Sequence, residues 1–234
     1  MSSRIERIRV ASEKIPAMAA AFIAQALTQA VATRGTASLC LAGGTTPRAT
    51  YTALTSHAEV PWPEVDIYFG DERCVGPEHA DSNYLMAREA LLDRVAVRAE
   101  RVHRMRGEDP DREQAARDYE LQLPEALDVV LLGIGEDGHT ASLFPGSPAL
   151  EERTRRVVPV IGPKPPPERL TLTAEPLRQA GLVLVLAAGA GKAEAVALAL
   201  EGQDDVTRCP AQLVRNAVWI VDPAASAALT GSWR

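Results

Sequence analysis

The chain has 234 residues, 46% hydrophobic and 24% charged, with a formal net charge of −6. That length suits one large α/β domain or two small ones with a full core, and the composition is globular rather than disordered. The acidic balance excludes the broad basic face that nonspecific binding to nucleic acid or anionic membrane needs, but not a local cluster of cations around an anionic small molecule.

Three isolated cysteines, Cys40, Cys74 and Cys209, form no CxxC or Cys/His ligand spacing. Neither a disulfide framework nor a zinc site is expected, and a reducing, cytoplasmic setting fits. Arg4, Arg7 and Arg9 precede the apolar stretch Ile15 to Leu27, which superficially resembles a secretory signal. Glu6 and Glu13 interrupt the basic region, and the pattern runs on to Val31 without a cleavage site. With Phe22, Ile23 and Leu27 on one side, an amphipathic helix is the better reading. No run approaches the roughly 18 apolar residues of a membrane span.

Gly35 ends that helix, and Ser38 to Ala42 reads as a buried strand. The strand runs into Gly43-Gly44-Thr45-Thr46-Pro47, and a helix follows from about Pro47 to Ser56. A glycine pair, two hydroxyls and a helix N-terminus make an anion cradle, though the same residues also suit an ordinary strand-to-helix turn. A second buried strand, Val65 to Phe69, ends in the charged cluster Gly70-Asp71-Glu72-Arg73. In the polar loop 75–83, Asp81 or Ser82 is placed to cap a helix from Tyr84 to Val95, and His79 reads as a structural hydrogen-bonding group. Val102-His103 is a candidate third strand, and Asp111 to Leu123 reads as a helix.

Val129 to Leu132, preceded by Leu127 and Asp128, then forms an unbroken apolar run, as in a strand covered on both faces. It breaks into Gly133, Gly135 and Gly138, from which project Glu136, Asp137, His139, Thr140 and Ser142. A carboxylate and an imidazole two residues apart, on a glycine loop ending a buried strand, form a candidate site; the plain alternative is a turn whose Asp and His bond only each other. Residues 133–138 also spell GxGxxG. That fingerprint signals a dinucleotide only where a helix opens at the third glycine and an acid follows about twenty residues on. Pro145 and Pro148 come too soon for that helix.

Arg156 to Ile161 is the next strand, and Gly162 to Pro167, with four prolines, is a rigid surface loop. Arg169 to Thr173 alternates with period two, as an edge or half-exposed strand would. Leu182 to Leu186 is another buried strand, followed by Gly189-Ala190-Gly191-Lys192 and a helix from Ala193 to Glu201. This is no Walker A loop, because Ala193 stands where a magnesium-binding Ser or Thr is required. Ala217 to Val221 is the last strand. Four strands thus end in polar, glycine-bearing loops, after Ala42, Phe69, Leu132 and Ala188. Alternating strands and helices imply a doubly wound, mostly parallel sheet with helices on both faces, and ligands bind beyond the carboxyl ends of such strands. Thr45, Thr46, Asp71, Arg73, Asp137, His139 and Lys192 are therefore expected around one small molecule.

LAGGTTP, GDERCVGPEHADSNY and LGIGEDGHTASLFPG, followed by RLTLT and GAGKAEAV, resemble the 6-phosphogluconolactonases over nearly the whole chain. The resemblance implies one NagB/RpiA-like Rossmannoid α/β domain over residues 1–234. It implies hydrolysis of 6-phospho-D-glucono-1,5-lactone, a step of the oxidative pentose phosphate pathway, without metal or organic cofactor. It also implies His139 as general base, Asp137 and Arg73 as active-site partners, and Arg169 and Lys192 facing the phosphate. The converging loops add Gly43, Gly44, Thr45, Thr46 and Asp71 as expected substrate-binding residues. The partner expected is thus a small sugar-phosphate lactone, not nucleic acid or membrane. The related glucosamine-6-phosphate deaminases share the glycine loop, the Asp-Glu pair and DGH, but carry a glutamate soon after the histidine. Here Ala141 to Gly146 supplies no carboxylate, and Arg73 replaces the tyrosine usual after the Asp-Glu pair. A non-catalytic sugar-phosphate sensor would need a partner module, and residues 1–34 offer one helix without a helix-turn-helix.

Overall fold

Parallel strands buried on both faces account for the apolar runs, and the computed structural model shows them over the described residues, 6–231. In chain order the strands and helices are β1 (Arg7–Arg9), α1 (Ile15–Arg34), β2 (Ala37–Leu41), α2 (Thr45–Leu54), β3 (Val65–Phe69), β4 (Asp71–Arg73), α3 (Asn83–Ala90) and α4 (Arg112–Glu120). There follow β5 (Val129–Gly133), β6 (Val157–Ile161), β7 (Glu168–Leu172), α5 (Ala174–Gln179), β8 (Leu182–Ala187), α6 (Ala193–Glu201) and β9 (Val218–Val221). A six-stranded sheet in the order β1-β9-β8-β5-β2-β3 is parallel throughout. Its side chains alternate between two cores, because successive residues of a strand point to opposite faces. Leu39, Leu41, Val129, Leu131 and Leu184 pack under α1, α2 and α3. Cys40, Val130, Leu132, Val185 and Trp219 pack on the other face with α4, α5 and α6. The doubly wound, mostly parallel α/β fold is the one expected.

Several boundaries differ, each for a local reason. The helix α2 begins at Thr45, two residues early, because Gly44 takes φ 107°, a left-handed backbone that lets the chain turn at once into the helix. Ser82 does cap α3, its hydroxyl accepting from Leu85 N–H at 3.2 Å, but the helix stops at Ala90, where Leu91 leaves helical geometry. Val102 makes only an isolated bridge to Ile67 rather than a strand. The stretch Ser12–Arg34 is, contrary to expectation, long and apolar enough to cross a membrane by length and composition alone. In the fold, Ile15, Ala19, Ala20, Ile23, Ala24, Leu27 and Ala30 are spent on the core. Arg4 lies outside the described residues.

The larger correction concerns β4, β6 and β7. They form a separate antiparallel sheet in the order β4-β7-β6. The Asp71–Arg73 cluster, read as a loop, is a strand, and β7, read as an edge, is the central strand. Thr171 within it and Thr173 just after it are buried because their hydroxyls are bonded: Thr171 Oγ1 donates to Leu172 O at 3.0 Å and Thr173 Oγ1 to Arg155 O at 2.8 Å.

Candidate active site

A cleft of about 200 Å³ opens where the ends of the parallel strands meet the small sheet. Gly43 and Gly44 reach it from the end of β2, Asp71 and Arg73 from β4, and Asn83 from the start of α3. His139 arrives on the loop after β5, Arg169 on β7 and Lys192 on the turn between β8 and α6. Three expected members stand elsewhere. Thr45 and Thr46 form the first turn of α2 and are not among the lining residues, and Asp137 backs His139 from outside the cleft.

The β5 loop is built to hold one imidazole. Gly135 N–H donates to His139 O at 2.8 Å and Gly138 N–H to Gly135 O at 3.1 Å, with Gly138 at φ 85°. This tight return brings His139 Nδ1 to 2.5 Å from Asp137 Oδ1, which also accepts from His139 N–H at 3.2 Å. A Cβ on Gly135 would overlap both the imidazole and the carboxylate, so a glycine is required there. Burial alone would raise the Asp137 carboxyl, but the His139 charge and the hydrogen bonds from His139 outweigh it and hold the carboxyl below its usual value. The Phe144 ring lies 4.8 Å from the imidazole, centroid to centroid. Ala141, which also lines the cleft, is held at φ 48°, a left-handed conformation costing about 1–2 kcal/mol for a residue with a Cβ. After Gly138 no helix opens and Thr140 bridges to Leu143, so the GxGxxG spelling lacks its dinucleotide context.

Two arginines face each other across the small sheet, Arg73 on β4 opposite Arg169 on β7. Both Nε atoms are buried with no hydrogen-bond partner. Arg73 Nη1 donates to Asp81 O at 2.6 Å, and the Arg169 guanidinium stacks 5.6 Å from the Phe144 ring centre. Burial lowers the Arg169 pKa, as does the Arg73 charge, while nearby Asp71 opposes the shift. Like charges in register, with donors unused, suit an incoming anion. Lys192 comes to the same cleft on a turn anchored by buried Asp222, whose carboxylate accepts from Gly189 N–H at 3.0 Å.

The acidic pair divides its duties. Asp71 Oδ2 accepts from Ser142 Oγ at 2.6 Å and Oδ1 from Asn83 Nδ2 at 3.2 Å, so it ties the β5 loop to α3 while lining the cleft. Glu72 points the other way. Its carboxylate accepts from the N–H groups of Arg73, Asn83 and Tyr84 at 2.7–2.8 Å and from Ser82 Oγ at 3.0 Å. Burial pushes the Glu72 carboxyl above its usual value, against the pull of those N–H groups. Its oxygens are committed to the start of α3, and it does not line the cleft. His79 makes the structural bond expected of it, accepting from Asp81 N–H at 3.1 Å.

Sequence reasoning missed Asn83 and Phe144. Asn83 looked like the end of a polar loop, yet its amide fills the space where a Cβ on Gly43 would sit. The signal for Phe144 was its place in the loop that carries His139. Beyond Phe144 lies a second, larger cavity of about 950 Å³, bounded by Asp137, Pro145, Pro148, Pro159, Ile161 and Pro163 and sharing Arg169 with the cleft. Among the described residues no group of three His, Cys, Asp or Glu side chains is placed to hold a metal ion.

The family described as glucosamine-6-phosphate isomerases/6-phosphogluconolactonase matches residues 11–221. A 6-phosphogluconolactonase of Mycobacterium tuberculosis is 39% identical, over 98% of this chain and 99% of its own. The solved 6-phosphogluconolactonase of Trypanosoma brucei superposes with a TM-score of 0.87 at 29% identity, covering 98% of this chain and all of that one. A monomeric glucosamine-6-phosphate deaminase of the NagB superfamily superposes at 0.83 with 23% identity, over 95% and 99% of the two chains, which speaks for the fold alone. The chain belongs to the glucosamine-6-phosphate isomerase/6-phosphogluconolactonase family and sides with the 6-phosphogluconolactonases within it.

Proposed function

We propose that this protein hydrolyses 6-phospho-D-glucono-1,5-lactone to 6-phospho-D-gluconate with His139 as general base. The observation that carries this reading is His139, backed by Asp137 and set beside Arg73, Arg169 and Lys192 in one cleft. The hydrogen bond to Asp137 takes the Nδ1 proton and leaves the lone pair on Nε2. Nε2 removes a proton from water as the water oxygen attacks C1 of the lactone. Arg73, with backbone N–H groups of the glycine loops, offsets the charge growing on the carbonyl oxygen. When the tetrahedral intermediate collapses, the bond from C1 to the ring oxygen breaks and Nε2 returns the proton to that oxygen. The product is the open-chain acid, which ionises at neutral pH. Asp137 fixes the tautomer and stabilises the imidazolium between the two transfers. Arg169 and Lys192, with the Gly43–Gly44 loop at the start of α2, hold the phosphate. The three cysteines are free, which fits a reducing cytoplasm.

The test is incubation of the purified protein with freshly generated lactone and, separately, with glucosamine 6-phosphate. Hydrolysis well above the spontaneous rate, unaffected by EDTA, is expected from the first and no ammonia from the second. Ammonia release without lactone hydrolysis would make the chain a deaminase and sink the reading.

A further inference from the structure

We infer that Tyr51 and Tyr119 are positioning residues: each uses one buried hydroxyl to close off the end of a parallel strand at the point where the chain leaves the sheet to line the cleft. The inference rests on the lactonase reading of that cleft. Tyr51, on α2, accepts from Ala42 N–H at 2.7 Å and donates to Ala42 O at 2.8 Å. Tyr119, on α4, accepts from Phe69 N–H at 2.7 Å and donates to Phe69 O at 3.1 Å. Ala42 immediately precedes Gly43 and Gly44, and Phe69 is followed, after Gly70, by Asp71 to Arg73.

Both pairs of backbone groups lack a neighbouring strand. Pairing of β2 with β5 stops at Cys40 opposite Val130, and β3 is the outermost strand of its sheet. Ala42 and Phe69 are nonetheless buried, so their N–H and C=O groups have no bulk water to turn to. A phenol suits the position because one hydroxyl both donates and accepts. The tyrosines reach the strand ends from opposite faces, Tyr51 in the core under α1 and Tyr119 in the core under α4, and both are essentially inaccessible. Burial raises both phenols well above their usual range, so each keeps its proton, and hence its donor, at any pH near neutrality. The two adjacent strands Leu41 and Phe69 end in register, with Gly70 N–H donating to Leu41 O at 2.8 Å. The glycine loop and the start of β4 are thereby held at one fixed spacing.

The experiment compares Tyr51→Phe and Tyr119→Phe with Tyr68→Phe. Tyr68 is a control because its hydroxyl donates to Gln122 O at 3.0 Å, in the loop after α4 and away from the cleft. Amide exchange at Ala42 and Phe69 is measured alongside steady-state lactone hydrolysis in each folded variant. Tyr51→Phe is expected to expose the Ala42 amide and raise KM about tenfold with kcat little changed, since it frees a substrate-holding loop. Tyr119→Phe is expected to expose the Phe69 amide and lower kcat about tenfold, since β4 carries Asp71 and Arg73. Tyr68→Phe should change neither constant by more than about twofold. Unchanged exchange at Ala42 and Phe69, or equal losses of kcat/KM in all three variants, would overturn the inference. A wild-type protein without lactonase activity would remove the function reading alone; the clamps would still be judged by exchange and by the affinity of each variant for 6-phosphogluconate.

Discussion

Replacing Gly135 with alanine tests the geometry of the general base without touching a reacting group. The added methyl would overlap Nδ1 and Cε1 of His139 and Oδ1 of Asp137, so the imidazole and its carboxylate cannot both stay in place. Backbone strain does not enter, because Gly135 is not among the residues with positive φ. The imidazole and carboxylate side chains are 29% and 42% exposed and have solvent to swing into, so the cost in stability should stay within about 1 kcal/mol. Catalysis has no such tolerance. An ångström of misplacement costs about a hundredfold, and loss of a general base costs roughly a hundredfold to ten-thousandfold. The expected fall in kcat is therefore at least about a hundredfold, or roughly 2.7 kcal/mol of barrier. Initial rates on fresh lactone, followed by proton release with spontaneous hydrolysis subtracted, measure it, and 6-phosphogluconate affinity should hold because the cations are untouched. The double variant Gly135→Ala/His139→Asn should be no slower than His139→Asn alone, as both changes remove one function. A folded Gly135→Ala enzyme with kcat within threefold of the parent, or fully additive losses, would refute the base assignment.

Arg169→Ala or Lys192→Ala should each weaken 6-phosphogluconate binding about tenfold to a hundredfold, from the roughly 1.5–3 kcal/mol of a charge-assisted hydrogen bond. Calorimetry reads this, and an equal loss of rate on unphosphorylated gluconolactone would show that the cations do not recognise phosphate. Glu72→Gln should lower stability by about 1–3 kcal/mol in urea titrations, because an amide cannot accept from all four donors that the carboxylate satisfies. An unchanged urea midpoint would contradict its role as the anchor of α3. The lowered Asp137 carboxyl contributes stability above the usual carboxyl pKa, and that contribution is lost as pH falls through the lower folded value. Asp137→Asn should therefore flatten the loss of stability below about pH 4, and an identical acid limb would mean that the pair contributes nothing.

What could be read from the residues depended on what buries them. Val129 to Leu132 and Leu39 to Leu41 announced themselves because both faces of a parallel strand are covered, leaving no polar position to interrupt the run. The β4 strand was hidden for the opposite reason. Asp71 and Glu72 are buried through hydrogen bonds to Ser142, Asn83 and Tyr84, and hydropathy cannot distinguish a carboxylate so satisfied from one in a solvent loop. Three-residue β1 was missed because its Arg-Ile-Arg pattern is too short to show a period, although it pairs in register with β9. The site was legible where a residue's chemistry coincided with a loop after a strand, as at Asp71, His139 and Lys192. It was not legible at Asn83, whose place depends on Gly43 having no side chain.

The cleft lies at a seam, with His139, Lys192 and Gly43–Gly44 on loops of the parallel sheet and Asp71, Arg73 and Arg169 on the small antiparallel one. Such a division matters for how an enzyme of this shape diversifies. The hairpin formed by β6 and β7, with the turn 162–167, walls the larger cavity beside Phe144 and makes no part of the loop that holds the imidazole. Insertions or substitutions in that turn would reshape what enters past Phe144 while the proton-transfer pair stays as it is. Substrate range can thus drift along one hairpin while the proton-transfer pair is inherited on a loop of the parallel sheet.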